Sequence, residues 1–555
     1  MKDTKGNRYK IAVIQLLRIG DIIMSLPLLE ALAKKHRNAD IYFFINGMYA
    51  DLLPVSPFFK CVPIHFNDLY GALNDADTIQ AADRLIEDEL GDYFRIRFDQ
   101  VINLSSQRLS AILAALFRAE ERLGLVLSRD DSLIHMDPNL ALFSEIRTGR
   151  NINWVHQLEI YLSSVCGAKP DPLGVTGKSL FPDPLGAGLE EPLVDGRYVM
   201  ISPGASLPQK ELGAAVLESL CRSILARTDY QIVLSGTGNE VLRHKTLQIP
   251  DSSRVIDYAG KTEHFRDLWN LIHHAECLIC NDSGPMHMAA LLNKKTVVFS
   301  VGSAFFPETM AYNPDILFLV PSSDCYPCPW IGFQCGKQTI CKKSFDRDQI
   351  AKQVLAYLRD ETPAARDSAG SGYRTLLKES GLIFLPQGGK KQSIVEYCGI
   401  VYQTFWKEKL LEMDAGAALA FLLDRYRFDE TLLRNDIQAI DGDLNRFSAF
   451  LDQILRWFLE FKHQNNPHLL DRIKSGIDTI FSVSDQETFL TPLLQHYKII
   501  FHSIVSDNPV EIISEYHRIS MAMQQDLNRL RSLLVSAVKP SECHAVPERH
   551  REAVS

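Results

Sequence analysis

The 555-residue sequence contains no apolar run approaching the roughly 20 residues that a membrane-spanning helix needs. Its first apolar stretch, 11–17, is too short for the hydrophobic region of a signal peptide, and no small-residue cleavage site follows it. An excess of positive charge is also missing. With 59 Lys and Arg against 68 Asp and Glu the net charge is -9, which argues against a nucleic-acid partner. The cysteines lack the regular pairing of a secreted scaffold: eleven of them, an odd number, are scattered over a large chain and suit reduced thiols. Finally, the glycine-rich fingerprint of a dinucleotide fold is absent. The apolar run 9–17 leads into Arg18-Ile19-Gly20-Asp21, with one glycine where that fingerprint has three.

What stands at that turn is a carboxylate. The run reads as a buried parallel strand, and Ile23, Leu26, Leu29 and Leu32 then carry helical periodicity. Asp21 therefore sits at the carboxyl end of a first strand, where open α/β sheets place their ligands. It is a candidate general base, with a helix-capping role as the structural alternative. A second turn has the opposite polarity. Apolar residues 276–280 empty into Asn281-Asp282-Ser283-Gly284-Pro285, which opens a small-residue helix through Met286, His287 and Met288. Backbone N–H groups of Ser283 and Gly284 at a helix start have no intrahelical acceptor, and the dipole adds positive charge there, so a diphosphate fits. An ordinary strand-to-helix turn capped by Asp282 is the alternative.

Arg18-Ile19-Gly20-Asp21, Ser202-Pro203-Gly204-Ala205-Ser206 with Lys210, Leu234-Ser235-Gly236-Thr237-Gly238-Asn239-Glu240, and Asn281-Asp282-Ser283-Gly284 with His287 occur in that order. In residues, order and spacing this set resembles glycosyltransferase family 9, the ADP-heptose:lipopolysaccharide heptosyltransferases, over about the first 360 residues. The resemblance implies an α/β chain of GT-B fold, with two facing Rossmann-like domains, inverting chemistry, and no metal or other cofactor at the reacting centre. It implies Asp21 as base, Lys210 as the cation that neutralises developing diphosphate charge, and Ser283 and Gly284 as diphosphate donors. Asp282 would hold sugar hydroxyls, Glu240 the ribose, and His287 a phosphate; the alternatives are a capped turn without a ligand for Glu240, a partly buried helical histidine for His287 and a solvated lysine near a helix start for Lys210. Lys210 departs from the family's usual Lys-x-Trp-Pro, since Lys210-Glu211-Leu212-Gly213 stands here. The implied partners are a nucleotide-sugar donor, ADP-heptose above others, and a saccharide or protein hydroxyl as acceptor. With no spanning run and no signal-peptide pattern, the expected location is the cytoplasm, with peripheral contact at the inner membrane as a further option. A catalytically inactive nucleotide-sugar-binding scaffold is the competing reading.

Strand and helix patterns alternate twice. An acceptor-side Rossmann-like domain is expected over 1–180, with strands at 42–45 and 100–103 and no assignment for 52–92. A Pro- and Gly-rich loop follows. A nucleotide-sugar-binding domain is expected over 190–360, with strands at 198–201, 231–234, 277–280 and 296–299 and helices at 213–227, 265–275 and 285–292. Near its end Cys325-x2-Cys328-x6-Cys335-x5-Cys341 has the ligand count of a tetrahedral zinc or iron site. Incidental thiols, or a disulfide in an oxidising compartment, are the alternatives. A similar four-cysteine finger marks the autotransporter heptosyltransferase subgroup. Residues 361–391 read as a linker by composition. A C-terminal α-helical domain is expected over 392–540, from helical spacing at 393–411, 447–461 and 510–535, with homo-oligomerisation or partner docking as its task and a flexible tail at 541–555.

Overall fold

The computed structural model describes residues 8–536 apart from 54–55, 66–78, 145–148, 168–188, 190, 242–246, 250–252, 324, 329–334, 336, 338, 362–371, 379–380, 388–391, 413, 427, 465, 485, 487 and 505–507. Two sheets carry it. The first has the order β3-β2-β1-β4-β5-β6, built from β1 (Lys10–Gln15), β2 (Asp40–Asn46), β3 (Lys60–Ile64), β4 (Arg97–Asn103), β5 (Arg118–Leu127) and β6 (Leu133–His135). All its pairings are parallel except β5 with β6. The second has the order β14-β13-β12-β11-β10-β7-β8-β9. It uses β7 (Tyr198–Ser202), β8 (Gln231–Leu234), β9 (Val255–Asp257), β10 (Cys277–Asn281), β11 (Thr296–Phe299), β12 (Ile316–Leu319), β13 (Gly372–Lys378) and β14 (Gly381–Gln387).

The central strands β1, β7 and β10 are apolar on both faces because helices cover both sides of a parallel sheet. Helix Ile19–Lys35 buries Ile22, Ile23, Leu26 and Leu29 against the first sheet, the stripe that the spacing predicts. The unassigned stretch 52–92 holds β3 and the start of helix Ile79–Phe94.

Residues 361–391 differ from the expected linker. Within them β13 pairs antiparallel with β12, and β14 with β13, so the second sheet gains two strands from beyond the α/β region. The physical reason is visible in the sequence. Glycines and lysines gave the segment a linker composition, yet Tyr373, Leu382, Ile383 and Phe384 supply an apolar face that is almost fully buried. Residues 362–371, the first part of that linker, lie outside the described residues, as does the expected tail.

The helical part is joined to the α/β part. Helix Ile394–Leu411 is followed by Ala415–Arg425, Glu430–Gln464, Pro467–Val483, Thr491–His502 and Pro509–Ser536. Gly399 lies flat on Trp154, where a Cβ would come within 2.4 Å of the indole. Trp406 donates its indole N–H to Asn153 Oδ1 at 2.7 Å. Buried Glu159 accepts from Tyr312 Oη at 3.1 Å and from the Leu382 N–H at 3.0 Å, with Lys407 Nζ 3.7 Å away. One carboxylate thus gathers groups from both α/β units, the added hairpin and the first C-terminal helix. A single apolar cluster runs from Ile11 through Phe384 to Leu534.

The sheet and the core therefore run across the boundary expected at residue 360 between the nucleotide-sugar-binding domain and the linker. A fragment ending at Glu361 loses two strands and uncovers Trp154, Phe306 and Phe318, which pack on Tyr373 and Phe384. It is expected to aggregate or to lack a cooperative thermal transition, checked by gel filtration and circular-dichroism melting. A monodisperse fragment with a sharp melt would contradict the joined architecture.

Candidate active site

Both units put their polar turns at the point where strand order reverses. In the first sheet this is between β1 and β4, and in the second between β7 and β10. The crevice outside the carboxyl ends of such strands is where open α/β sheets bind ligands. The chain leaving β1 passes Arg18 and enters helix Ile19–Lys35. The chain leaving β7 forms the turn through Ser206, and the chain leaving β10 enters helix Gly284–Leu291.

The two helix starts meet. A Cβ on Gly20 would stand 2.7 Å from His287 Cδ2, and one on Gly284 would stand 2.7 Å from Ile19 Cγ2, so only glycine permits this approach at either position. Arg18 reaches over as well, its Nη1 donating to Ser206 Oγ at 2.8 Å. Beside this contact lies a cleft of about 1390 Å³ lined from both units by Asp21, Tyr49, Lys210, Glu240, Asp282 and Ser283, among others. That exceeds the roughly 300–1,000 Å³ of a single small-molecule site and leaves room for a nucleotide together with a second ligand.

Asp21 is the third residue of its helix, and its Oδ2 accepts the Arg18 N–H at 3.2 Å. It therefore does have a capping function, and it also borders the cleft. Burial pushes its carboxyl up to about 6. The Arg18 N–H opposes that shift, the neighbouring Asp282 charge adds to it, and Arg18 and Lys210 restrain it. A carboxylate so placed accepts a proton near neutral pH more readily than an exposed one.

Lys210 closes a single 3-10 turn, Pro208–Lys210, and is buried rather than solvated. Its Nζ lies 2.6 Å from Asp282 Oδ2, with the two side chains 9% and 10% exposed. Burial works against ionisation of Asp282, but the charge and hydrogen bond of Lys210 outweigh it and hold the carboxyl below its usual range. His287 is buried, and burial pushes it down to about 4, so the ring is neutral at pH 7 despite Asp282 beside it. Ser283 caps the helix by position, but its hydroxyl donates to the Asn281 carbonyl at 3.2 Å, which leaves the backbone to meet a ligand. Glu240 Oε2 accepts from Thr237 N at 2.7 Å and Thr237 Oγ1 at 3.0 Å, a capping box at the cleft wall.

All seven cleft residues singled out in the sequence thus line one space. Several organising residues escaped sequence reasoning. Asn281, almost fully buried, donates to the Pro203 carbonyl at 2.5 Å and accepts the Leu212 N–H at 3.2 Å, tying together the two loops beside Lys210. A polar residue closing an apolar strand was its signal. Arg150 and Glu308 form a buried pair, Nε to Oε1 and Oε2 at 2.7 Å, that joins the two units; 158 positions apart, they left no trace in the local pattern.

Cys325, Cys335 and Cys341 all lie near Cys328. Burial, then the nearby Cys341, Cys335 and Cys325, pushes the Cys328 thiol up to about 11. Cys335 Sγ accepts the Thr339 N–H at 3.2 Å. Yet among the described residues no group of three or more His, Cys, Asp or Glu side chains converges closely enough to hold a metal ion.

The cleft between the two Rossmann-like units thus has a carboxylate on one side and a helix start with a lysine on the other, an arrangement that suits an anionic ligand beside a proton acceptor. Residues 90–327 match the model of Glycosyltransferase family 9 (heptosyltransferase). Similar solved structures include the family 9 glycosyltransferase from Veillonella parvula DSM 2008, at 18% identity over 64% of this chain and 98% of that one, with a TM-score of 0.44. E. coli ADP-heptose lps heptosyltransferase II is similar at 19% identity over 63% of this chain and 99% of that one, with a TM-score of 0.42. The iron-containing dodecameric glycosyltransferase TibC from enterotoxigenic E. coli H10407 is similar at 14% identity over 64% and 77%, with a TM-score of 0.39. None of the curated proteins matches the sequence. No helix among the described residues is long and apolar enough to cross a membrane.

Two outcomes test the electrostatics. Because folding raises the Asp21 pKa, the cost of burying its charge appears as pH climbs from the ordinary carboxylate range and is complete above about 6. Asp21→Asn should therefore melt higher than the parent near pH 8 and no higher near pH 4, measured by calorimetry. Lys210→Met leaves Asp282 buried without its partner and should cost about 3–5 kcal/mol in denaturant unfolding, most of it restored by adding Asp282→Asn.

Proposed function

We propose that the chain is an inverting heptosyltransferase that moves the sugar of a nucleotide diphosphate donor, ADP-heptose, onto a hydroxyl of a saccharide or protein acceptor. The observation that carries this is the position of Asp21 on one unit, facing the Lys210–Asp282 pair and the helix start at Gly284 across one cleft. The heptose comes from the resemblance of the four motifs to family 9 and from that family's description, and the adenine from the resemblance alone.

In this reading the acceptor hydroxyl enters from the side of Arg18 and Tyr49, and Asp21 takes its proton as the oxygen bonds to the anomeric carbon. The bond from that carbon to the diphosphate oxygen breaks on the opposite face. One in-line displacement inverts the configuration. The departing diphosphate gathers charge, which the Ser283 and Gly284 N–H groups, the helix dipole and Lys210 stabilise. Neutral His287 contributes a ring N–H to a phosphate oxygen, and Asp282, shared with Lys210, takes a sugar hydroxyl on its other oxygen. Glu240, oriented by Thr237, takes the ribose. No step requires a metal.

A structural zinc or iron ion at Cys325, Cys328, Cys335 and Cys341 belongs to the same reading, supported by the ligand count and by the nearness of the other three thiols to Cys328. So does homo-oligomerisation through the helical domain. Metal analysis of protein purified without chelator should return about one ion per chain, and a metal-free chain that is fully folded would remove the ion from the account.

Donor profiling tests the function. ADP-heptose at a hundred times its dissociation constant should stabilise the fold by about 2.7 kcal/mol, and UDP-sugars should not. kcat/KM should rise with pH through about 6 as Asp21 ionises, and Asp21→Asn should lose about 10²–10⁴ in rate while retaining donor binding. Near-normal turnover by that variant would refute the base assignment, and donor binding without any turnover in the parent would leave only a binding scaffold.

A further inference from the structure

The four-cysteine segment is the one sequence motif that the proposed chemistry does not use, yet both of its ends bear on the short stretch that carries Lys210. At its front, the Cys328 N–H donates to the Gly302 carbonyl at 2.8 Å. Gly302 has φ +63, and a Cβ there would stand 2.4 Å from the Gln209 carbonyl oxygen and 3.5 Å from the Lys210 nitrogen. The backbone that Cys328 holds is thus pressed directly on Gln209 and Lys210. At its end, Cys341 is buried in the one-turn helix Ile340–Lys343, and the next residue, Lys342, donates its ammonium to the Pro208 carbonyl. The Lys342 carbonyl oxygen in turn lies 3.2 Å from where a Cβ of Gly213 would be. Arg150 adds a third hold, its Nη1 donating to the Cys328 carbonyl at 3.1 Å and its Nη2 to the Ser303 carbonyl at 2.9 Å.

Pro208–Lys210 is only one turn long, and the intrinsic bonds beside it are Lys210 N–H to Leu207 O and Glu211 N–H to Pro208 O. A single turn cannot fix a lysine against the entropy of four rotatable side-chain bonds and a short loop. Its support must come from neighbours, and those neighbours are the two ends of the four-cysteine segment, together with Asn281 from inside the cleft.

We propose that the two described ends of the four-cysteine segment, at Cys328 and at Cys341, support the donor site's cation, and that Lys342 is a positioning residue that holds the 208–213 stretch so that Lys210 stays on Asp282. This rests on the reading of Lys210 as a diphosphate ligand, and it gives the motif a mechanical task whether or not an ion sits among the sulfurs. Lys342 touches no reacting atom and acts through Lys210.

The test is a double-mutant cycle on the full chain together with amide hydrogen exchange. Lys342→Met should raise KM for the nucleotide-sugar donor about fivefold to tenfold with kcat changed less, Lys342→Arg should restore it, and exchange at the Lys210 and Glu211 amides should quicken about tenfold while helix Ala214–Arg227 stays protected. In the Lys210→Met, Asp282→Asn background, Lys342→Met should change KM less than twofold. Gly213→Ala, which pushes the Lys342 carbonyl away, should reproduce the exchange result if Lys342→Met proves hard to obtain. Unchanged exchange in both variants, or an equal loss with and without Lys210, would overturn the proposal. If the parent protein binds no nucleotide sugar, the functional reading fails, and the exchange comparison alone decides this inference.

Discussion

Two helix N-termini meet across the cleft, Ile19 and Gly20 on one side and Gly284 and His287 on the other, and the rest of the site follows from that contact. Each helix leaves unsatisfied N–H groups and partial positive charge at its start, so bringing two together costs electrostatic energy unless negative groups lie between them. Asp21 and Asp282 supply that charge, and a bound diphosphate would supply more. The absence of side chains on the two glycines lets the units approach closely enough to share one space. Arg18 to Ser206 then bridges the mouth.

The charges there are arranged as an alternating string. Asp21 stands next to Asp282, Asp282 is held by Lys210, and the Arg150–Glu308 pair lies close enough to influence Asp282. Every buried carboxylate in the string except Asp21 has a bidentate or close cationic partner. Asp21 has a backbone N–H and more distant cations, which is why burial governs its pKa while Lys210 governs that of Asp282. The same low-dielectric setting that makes one aspartate a stable counter-ion leaves the other poised to take a proton.

Much of this was legible in the sequence because the site is made of local motifs at strand ends. Apolar runs with β-branched residues marked β1, β7, β10 and β11, and the turns after them announced Asp21, Lys210 and the Asn281–Gly284 group. The short edge strands β6 and β9 and the hairpin β13–β14 were not legible. Edge strands are brief and partly polar, and the hairpin joins the sheet through a partner far away in the chain, Phe318 with Tyr373. The welding of the helical part onto Trp154, Glu159 and Phe306 was hidden for the same reason. Buried cross-chain bonds such as Trp406 to Asn153 carry no periodicity that a local pattern can show. The cysteine spacing was legible as a ligand count but not as geometry.

The account stands on the claim that a diphosphate binds between the two helix starts. The most direct measurement is a crystal structure of the full chain with ADP. The account predicts the β-phosphate within hydrogen-bond distance of the Ser283 and Gly284 N–H groups, Lys210 Nζ in contact with a phosphate oxygen, and Asp21 across the cleft with open space between for an acceptor. ADP bound elsewhere on the chain, with the cleft beside Gly20 and Gly284 filled only by solvent, would contradict it.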